Sequence, residues 1–441
     1  MDPVLLTVLV MGALFFFMAI GCPIGFSSLI VAVFFGLTLW GPSHMYLLAS
    51  CAYGALSSQV LIAVPLFVLM GNIMLQTGIA RDVFNSIYYL AGPIRGSLAM
   101  GTVLMASLFS AFSGSSSAMT VTIGKLAIPE MRGHGYQKEL VLGTICVSGV
   151  LDFLIPPSIL AIILGSISGL SVGWLYLAMF VPGFVLAGLY LAYIGVRCYL
   201  QPHLGPAIST KDLPPWYKRL TSIKSVVPPV AIVVAVLGGI YTGITTPTES
   251  AGVGALSMAI YAALTRSLNW SILRRAVWMT LELTSMLAWL IIGVTCFTNV
   301  YTVLGAPQLI QKFVTMLPVG RFGVIIMIQI LWLILGSLMD DLAIMMLTVP
   351  VFFPIVKSLG FDLIWFSVLF MVNMQVAWLT PPYGFSLFLV RGITSSTDIT
   401  MGDIYRGVVP FICVQLICLG LVMAFPGMVL WLPTFFLSKV G

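Results

Sequence analysis

The chain has 441 residues, of which 60% are hydrophobic and only 7% charged, with a net charge of +6, against about 25% charged residues in an ordinary soluble domain. This composition excludes a soluble enzyme or a nucleic-acid-binding module and places the chain in a lipid bilayer, with no water-soluble domain of any size. Apolar stretches of roughly 15–25 residues recur from end to end between short polar breaks, so the fold class is an all-α polytopic membrane protein.

The first predicted helix spans 3–20, in the stretch that carries "VLLTVLVMGALFFFMAIG" at 4–21. It lacks a basic leader and a small-residue cleavage site, and reads as a retained span rather than a signal peptide. Spans at 26–40 and 58–76 follow. Segment 97–130 differs, because two half-length apolar runs flank "FSGSSSAMTVTIG", with Ser113, Gly114, Ser115, Ser116 and Ser117 where hydrocarbon should be. It reads as a re-entrant hairpin whose tip offers hydroxyls and free amides; the competing reading is helix packing through small residues. Span 136–169 is broken by Pro156 and Pro157, and span 173–196 closes the first unit. Asp152, four residues before Pro156, either tunes a substrate or proton site or pairs with a neighbouring polar group.

Segment 201–225, "QPHLGPAISTKDLPPWYKRLTSIKS", is the longest polar stretch. Beyond it come spans at 226–242, 250–264 and 284–302, a second hairpin at 323–357, a span at 361–390 broken by Pro381 and Pro382, and a span at 408–432. Glu249 in "TPTES" reads as a helix cap, and Glu282 as a solvated or paired face. In the second hairpin "LGSLMDDLAIMM" sets Asp340 and Asp341 among apolar residues. Intramembrane carboxylates are costly and rare. Asp340 is therefore a candidate functional group, while for Asp341 function and simple solvation stay equally open.

A shift of 225 residues lays Pro129, Gly135, Tyr136, Pro156 and Pro157 over Pro354, Gly360, Phe361, Pro381 and Pro382. The chain thus reads as two repeats, 1–200 and 226–441, joined by a linker at 201–225. Five crossings per copy is an odd number, so the second copy has inverted topology. With the linker cytoplasmic, 15 of the 19 Lys and Arg residues lie inside and 4 outside, in keeping with the positive-inside rule, and both termini are periplasmic. Inverted repeats with re-entrant hairpins and discontinuous helices belong to secondary transporters, whose substrate and ion sites lie at the breaks. Inward-turned helix N-termini present amides to an anion, while unwound carbonyls and hydroxyls suit a sodium ion.

An enzyme is not expected. His44, His134 and His203 fall in loops or at helix ends, away from the serine run, and adjacent Asp340 and Asp341 cannot face each other from two helices. The chain has no Walker-type motif and no His/Cys cluster, and its seven cysteines stand singly in apolar runs as packing residues. No cofactor is expected beyond the coupling ion.

The pieces "GCPIGFSSL", "SGSSSAMTVTIGKLAIPEMRGHGY", "FLIPPSILAIILG", "YTGITTPTESAGVGAL", "GSLMDDLAIMMLTVPVFFPI" and "LTPPYGFSLFLV" resemble the large membrane subunit of the tripartite ATP-independent periplasmic (TRAP) transporters, over nearly the whole chain. The resemblance implies sodium-coupled uptake of organic anions, mostly carboxylates, across a bacterial inner membrane. It also implies a small membrane subunit, here expected as a separate chain, a periplasmic substrate-binding protein, and an elevator-type motion. The implied ion and substrate positions are Ser113–Ser117, Pro156–Ser158, Gly336, Asp340 and Thr380–Pro382, with sodium at the same tips and breaks. Three residues depart from the family pattern: Gln375 where many members have glutamate, Asp152 where glycine is common, and Asp341 where an apolar residue is usual. They point to a sub-branch whose resemblance suggests oxo- or hydroxy-acids or polyols, within an expected substrate class of oxo-, hydroxy- or dicarboxylic acids. The alternative is an ion-coupled carboxylate transporter of related fold that acts alone, without a binding protein.

Overall fold

The computed structural model describes residues 3–208, 214–316, 318–382, 384–394 and 399–440, and among these there are helices and no strand. The first half holds α1 (Pro3–Ala19), α2 (Ile24–Trp40), α3 (His44–Leu56), α4 (Ala63–Gln76), α5 (Ile79–Ala91), α6 (Ser97–Ser113), α7 (Ser116–Gly133), α8 (Lys138–Gly149), α9 (Ile159–Ser168) and α10 (Val172–Leu200). The linker carries α11 (Trp216–Ser222). The second half holds α12 (Val227–Tyr241), α13 (Pro247–Leu264), α14 (Trp270–Val303), α15 (Ala306–Met316), α16 (Arg321–Gly336), α17 (Asp341–Ser358), α18 (Leu363–Leu379), α19 (Phe385–Ile393), α20 (Met401–Ala424) and α21 (Gly427–Val440). α7 and α17 start 225 residues apart, and so do α8 and α18.

Several boundaries differ from the sequence reading. Helices α3, α5 and α15 occupy segments left between spans; α5 and α15 are amphipathic and too short to register as spans. α14 begins at Trp270 rather than 284, because Asn269 caps it by accepting a hydrogen bond from the Ile272 amide. Glu282 therefore lies within a helix, on its exposed face. The expected span 408–432 is two helices, since Pro426 drives Phe425 out of the helical region. The first broken span opens before its proline pair: α8 ends at Gly149, and a 3-10 turn at Leu151–Phe153 precedes the prolines. Glu249 completes a capping box with Thr246, as its position suggested.

By length and composition, six helical segments among the described residues can cross a membrane, the longest being Trp270–Val303. The hairpin arms and half-helices are shorter. At 10 residues α9 reaches about 15 Å, half of a hydrocarbon core of roughly 30 Å. Apolar side chains such as Phe16, Phe34, Leu256 and Ile417 are exposed on the outside, as a lipid-facing surface requires.

The packing comes in exchanged pairs. α7 packs on α19 and α17 on α9; α8 packs on α20 and α18 on α10; α2 packs on α14 and α4 on α13. Residues 225 apart also touch: the Gln375 side chain donates to the Val150 carbonyl at 2.9 Å, and the Phe153 and Trp378 rings meet edge-on at 5.1 Å. The α8–α20 contact is backbone against backbone. A Cβ on Gly143 would collide with the Gly407 carbonyl, and one on Gly407 with the Glu139 carbonyl. Lys138 and Asp403 close the same contact with an ion pair of 2.9 Å.

Candidate functional site

Both hairpin tips are helix starts. At the first, Gly114 takes a left-handed φ of +53°, and a Cβ there would lie 2.9 Å from Ile159, so glycine is required on both counts. Ser115 then caps α7, its hydroxyl accepting from the Ala118 amide. At the second tip, Asp340 caps α17 by accepting from the Leu342 amide at 3.2 Å. The breaks are helix starts as well: α9 follows Ser158, and α19 follows Gly384. Both proline pairs contain a cis peptide bond.

All four N-termini converge on one cavity of about 540 Å³. Its polar wall comes from Ser115, Ser116, Ser117, Ser158 and the three aspartates Asp152, Asp340 and Asp341. Its apolar wall comes largely from α2 and from one face of α14. No basic side chain is among its described lining residues. The aspartates are held in place. Ser116 donates its hydroxyl to Asp152 Oδ1 at 2.7 Å, tying the first tip to the first break. Trp378 Nε1 donates to Asp341 Oδ1 at 3.1 Å, tying the second tip to the second broken helix. The Trp378 ring is itself wedged between Phe153 and Phe385, with centroids at 5.1 and 5.0 Å. Asp152 and Asp341 thus occupy corresponding roles, each a buried carboxylate joining a hairpin to a break.

The structure therefore brings together Gly114, Ser115, Ser116, Ser117, Ser158, Asp152, Asp340 and Asp341. Other expected positions stand apart from the cavity wall. Pro156 and Pro157 are buried within the break behind it. Gly336 ends α16 against Ala377, where a Cβ would collide. Thr380 returns its hydroxyl to the Val376 carbonyl, and Pro381 and Pro382 are exposed. Gln375 is fully buried and serves the first break through Val150. Ser113 ends α6, and its side chain lies outside the described residues. Sequence reasoning missed Trp378, Phe153 and the α14 face. The 225-residue offset links Phe153 to Trp378 and was the available signal.

Trp378→Phe is expected to keep the ring contacts and remove the donor to Asp341, lowering folding stability by about 1–3 kcal/mol. An unchanged melting temperature in detergent would show that this hydrogen bond carries no weight.

Comparison with known proteins places the chain. The family model described as "Tripartite ATP-independent periplasmic transporter, DctM component" matches residues 11–428. The chain is 33% identical over 400 residues to the C4-dicarboxylate TRAP transporter large permease protein DctM of Pseudomonas aeruginosa, covering 90% of this chain and 91% of the relative. It is 31% identical over 424 residues to the sialic acid TRAP transporter large permease protein SiaM of Vibrio cholerae, covering 95% and 96%. Among solved structures, the YdaH transporter of Alcanivorax borkumensis matches with a TM-score of 0.64 at 15% identity, over 97% of this chain and 98% of that one, which is a likeness of fold. With a polytopic helical fold, paired hairpin tips around one cavity and a family match over nearly its whole length, the chain belongs to the DctM component family of TRAP transporters and is a large permease of that family.

Proposed function

We propose that this permease drives the uptake of a small organic anion across the bacterial inner membrane by coupling it to sodium. One observation carries the reading: four helix N-termini converge on a cavity that also holds three aspartates and, among its described lining residues, no basic side chain. The N-termini attract an anion. The aspartates oppose it and favour a cation bound beside it. Each solute then binds best in the other's presence, which is the reciprocal free energy that coupling requires. The carboxylate and sialic acid named for the two relatives support an oxo-, hydroxy- or dicarboxylic acid as substrate class.

A periplasmic binding protein delivers the substrate, and a small membrane subunit completes the permease. The 15-to-4 split of Lys and Arg supports a cytoplasmic linker and periplasmic termini, and the exchanged helix packing supports two inverted repeats, 1–200 and 226–441. It also supports an elevator-type motion, in which the body of hairpins and broken helices moves along α14.

The test is uptake into proteoliposomes at fixed membrane potential. Replacing external sodium by choline is expected to lower uptake at least about tenfold, the loss of roughly 1.4 kcal/mol of coupling. Equal uptake in the two media refutes sodium coupling. Full uptake at micromolar substrate by this chain alone would instead support a stand-alone transporter.

A further inference from the structure

α14 borders a second cavity, of about 430 Å³, further along the helix. There it contributes Thr295, Thr298, Asn299 and Thr302. That spacing of i, i+3, i+4, i+7 puts four polar side chains on one stripe of a membrane-spanning helix. Ser58 and Ser166 also line this cavity, their hydroxyls 3.0 Å apart. The Asn299 Oδ1 atom is buried with no hydrogen-bond partner, and no charged side chain is among the described lining residues. Polar groups at membrane depth are tolerated where they line a water-filled or solute-filled space.

The two cavities share a wall. Leu290, Ile291, Val294 and Met346 form a small apolar cluster of their own, with Val294 fully buried. Leu290 lines the first cavity, while Ile291 and Met346 line the second. Met286 in the first cavity and Thr298 in the second are about 18 Å apart along the axis at 1.5 Å per residue, so the cavities are stacked along the helix. α9 and α17, whose N-termini hold the first cavity, run on to line the second. The face of α14 changes from leucine and methionine to threonine and asparagine at this wall.

We infer that the second cavity is a polar vestibule on the substrate's own route. It takes a small hydrogen-bonding organic solute through uncharged hydroxyl and amide groups, and the Leu290, Ile291, Val294 and Met346 cluster is the barrier that separates it from the aspartate-lined site. The inference rests on reading the first cavity as the substrate site. It assigns the two cavities to opposite faces of the membrane, and it assigns Thr298 and Asn299 a role that hydrogen bonding rather than charge fulfils.

The test uses the full chain in proteoliposomes of known orientation and a membrane-impermeant thiol reagent. The background is Cys51→Ser, because Cys51 lines the second cavity. Thr298→Cys is expected to react from one side of the membrane only, and Met286→Cys from the other side only. Ser166→Cys reports on the same cavity as Thr298→Cys if that variant folds poorly. Reaction of both cavities from one face, or no reaction at either vestibule position, overturns the assignment. Val294→Ser is expected to raise the leak of radiolabelled sodium, in the absence of any organic solute, by about tenfold over the parent protein, since a polar residue wets an apolar constriction. An unchanged leak overturns the barrier. Neither measurement needs uptake, so a permease without sodium-dependent transport would refute the proposed function and leave the sidedness readable.

Discussion

Asp340→Asn is expected to lower sodium-dependent uptake at least about tenfold while leaving the permease folded. Asp340 caps α17 through the Leu342 amide and also faces the aspartate-lined cavity, so one residue has a structural and an electrostatic role. Asparagine caps a helix about as well as aspartate, so α17 should keep its start within about 0.5 kcal/mol. What is lost is the negative charge. A hydrogen bond or ion contact to a charged group contributes about 1.5–3 kcal/mol, which is roughly 10- to 150-fold in ion affinity. Two readings separate the roles. Uptake per folded molecule reports the site, and the rise in melting temperature on adding sodium reports ion binding, because a ligand held only by the folded state stabilises it by mass action. If Asp340→Asn transports at the parent rate per folded molecule and still gains stability from sodium, Asp340 is a cap and nothing more.

Gly407→Val is expected to remove most of the folded protein. The α8–α20 contact brings the Glu139 carbonyl and the Gly143 amide against Gly407, and neither is the flexible end of a side chain that could swing away. The helices must separate, and with them go the Lys138–Asp403 pair and the buried face of α8. Overpacking a tight core costs about 1–3 kcal/mol and more where backbone must shift, and this site falls at the upper end. Gly12→Ala is the contrast, since nothing lies within 4 Å of a Cβ there; alanine should stabilise α1 by up to about 1 kcal/mol through helix propensity. The comparison is made by melting temperature and yield after detergent extraction. Equal behaviour of the two variants would mean that α8 and α20 are free to part.

The amino-acid sequence by itself determined the features that are local in the chain. Length and hydropathy specify membrane helices, since a run of apolar residues cannot stay in water. The serines and glycine at 113–117, the aspartates at 340–341 and the two proline pairs mark the places where a helix must stop and restart, because each acts on its own backbone. The sequence match at an offset of 225 residues then pairs those places, and the Thr246–Glu249 cap is legible at three-residue spacing. Short amphipathic helices such as α5 and α15 escaped, as they carry no run of span length.

Only the tertiary structure decided which of these local features meet. That Ser116 reaches Asp152 and Trp378 reaches Asp341 depends on how whole helices pack, and the contacts span 36 and 37 residues. That Gln375 serves the break at Val150, 225 residues away, follows from the two halves crossing at that point. The same packing moved Gly336 and Gln375 off the cavity wall and brought one face of α14 onto it, because side-chain partners across a membrane bundle are chosen by shape and close approach rather than by chain spacing.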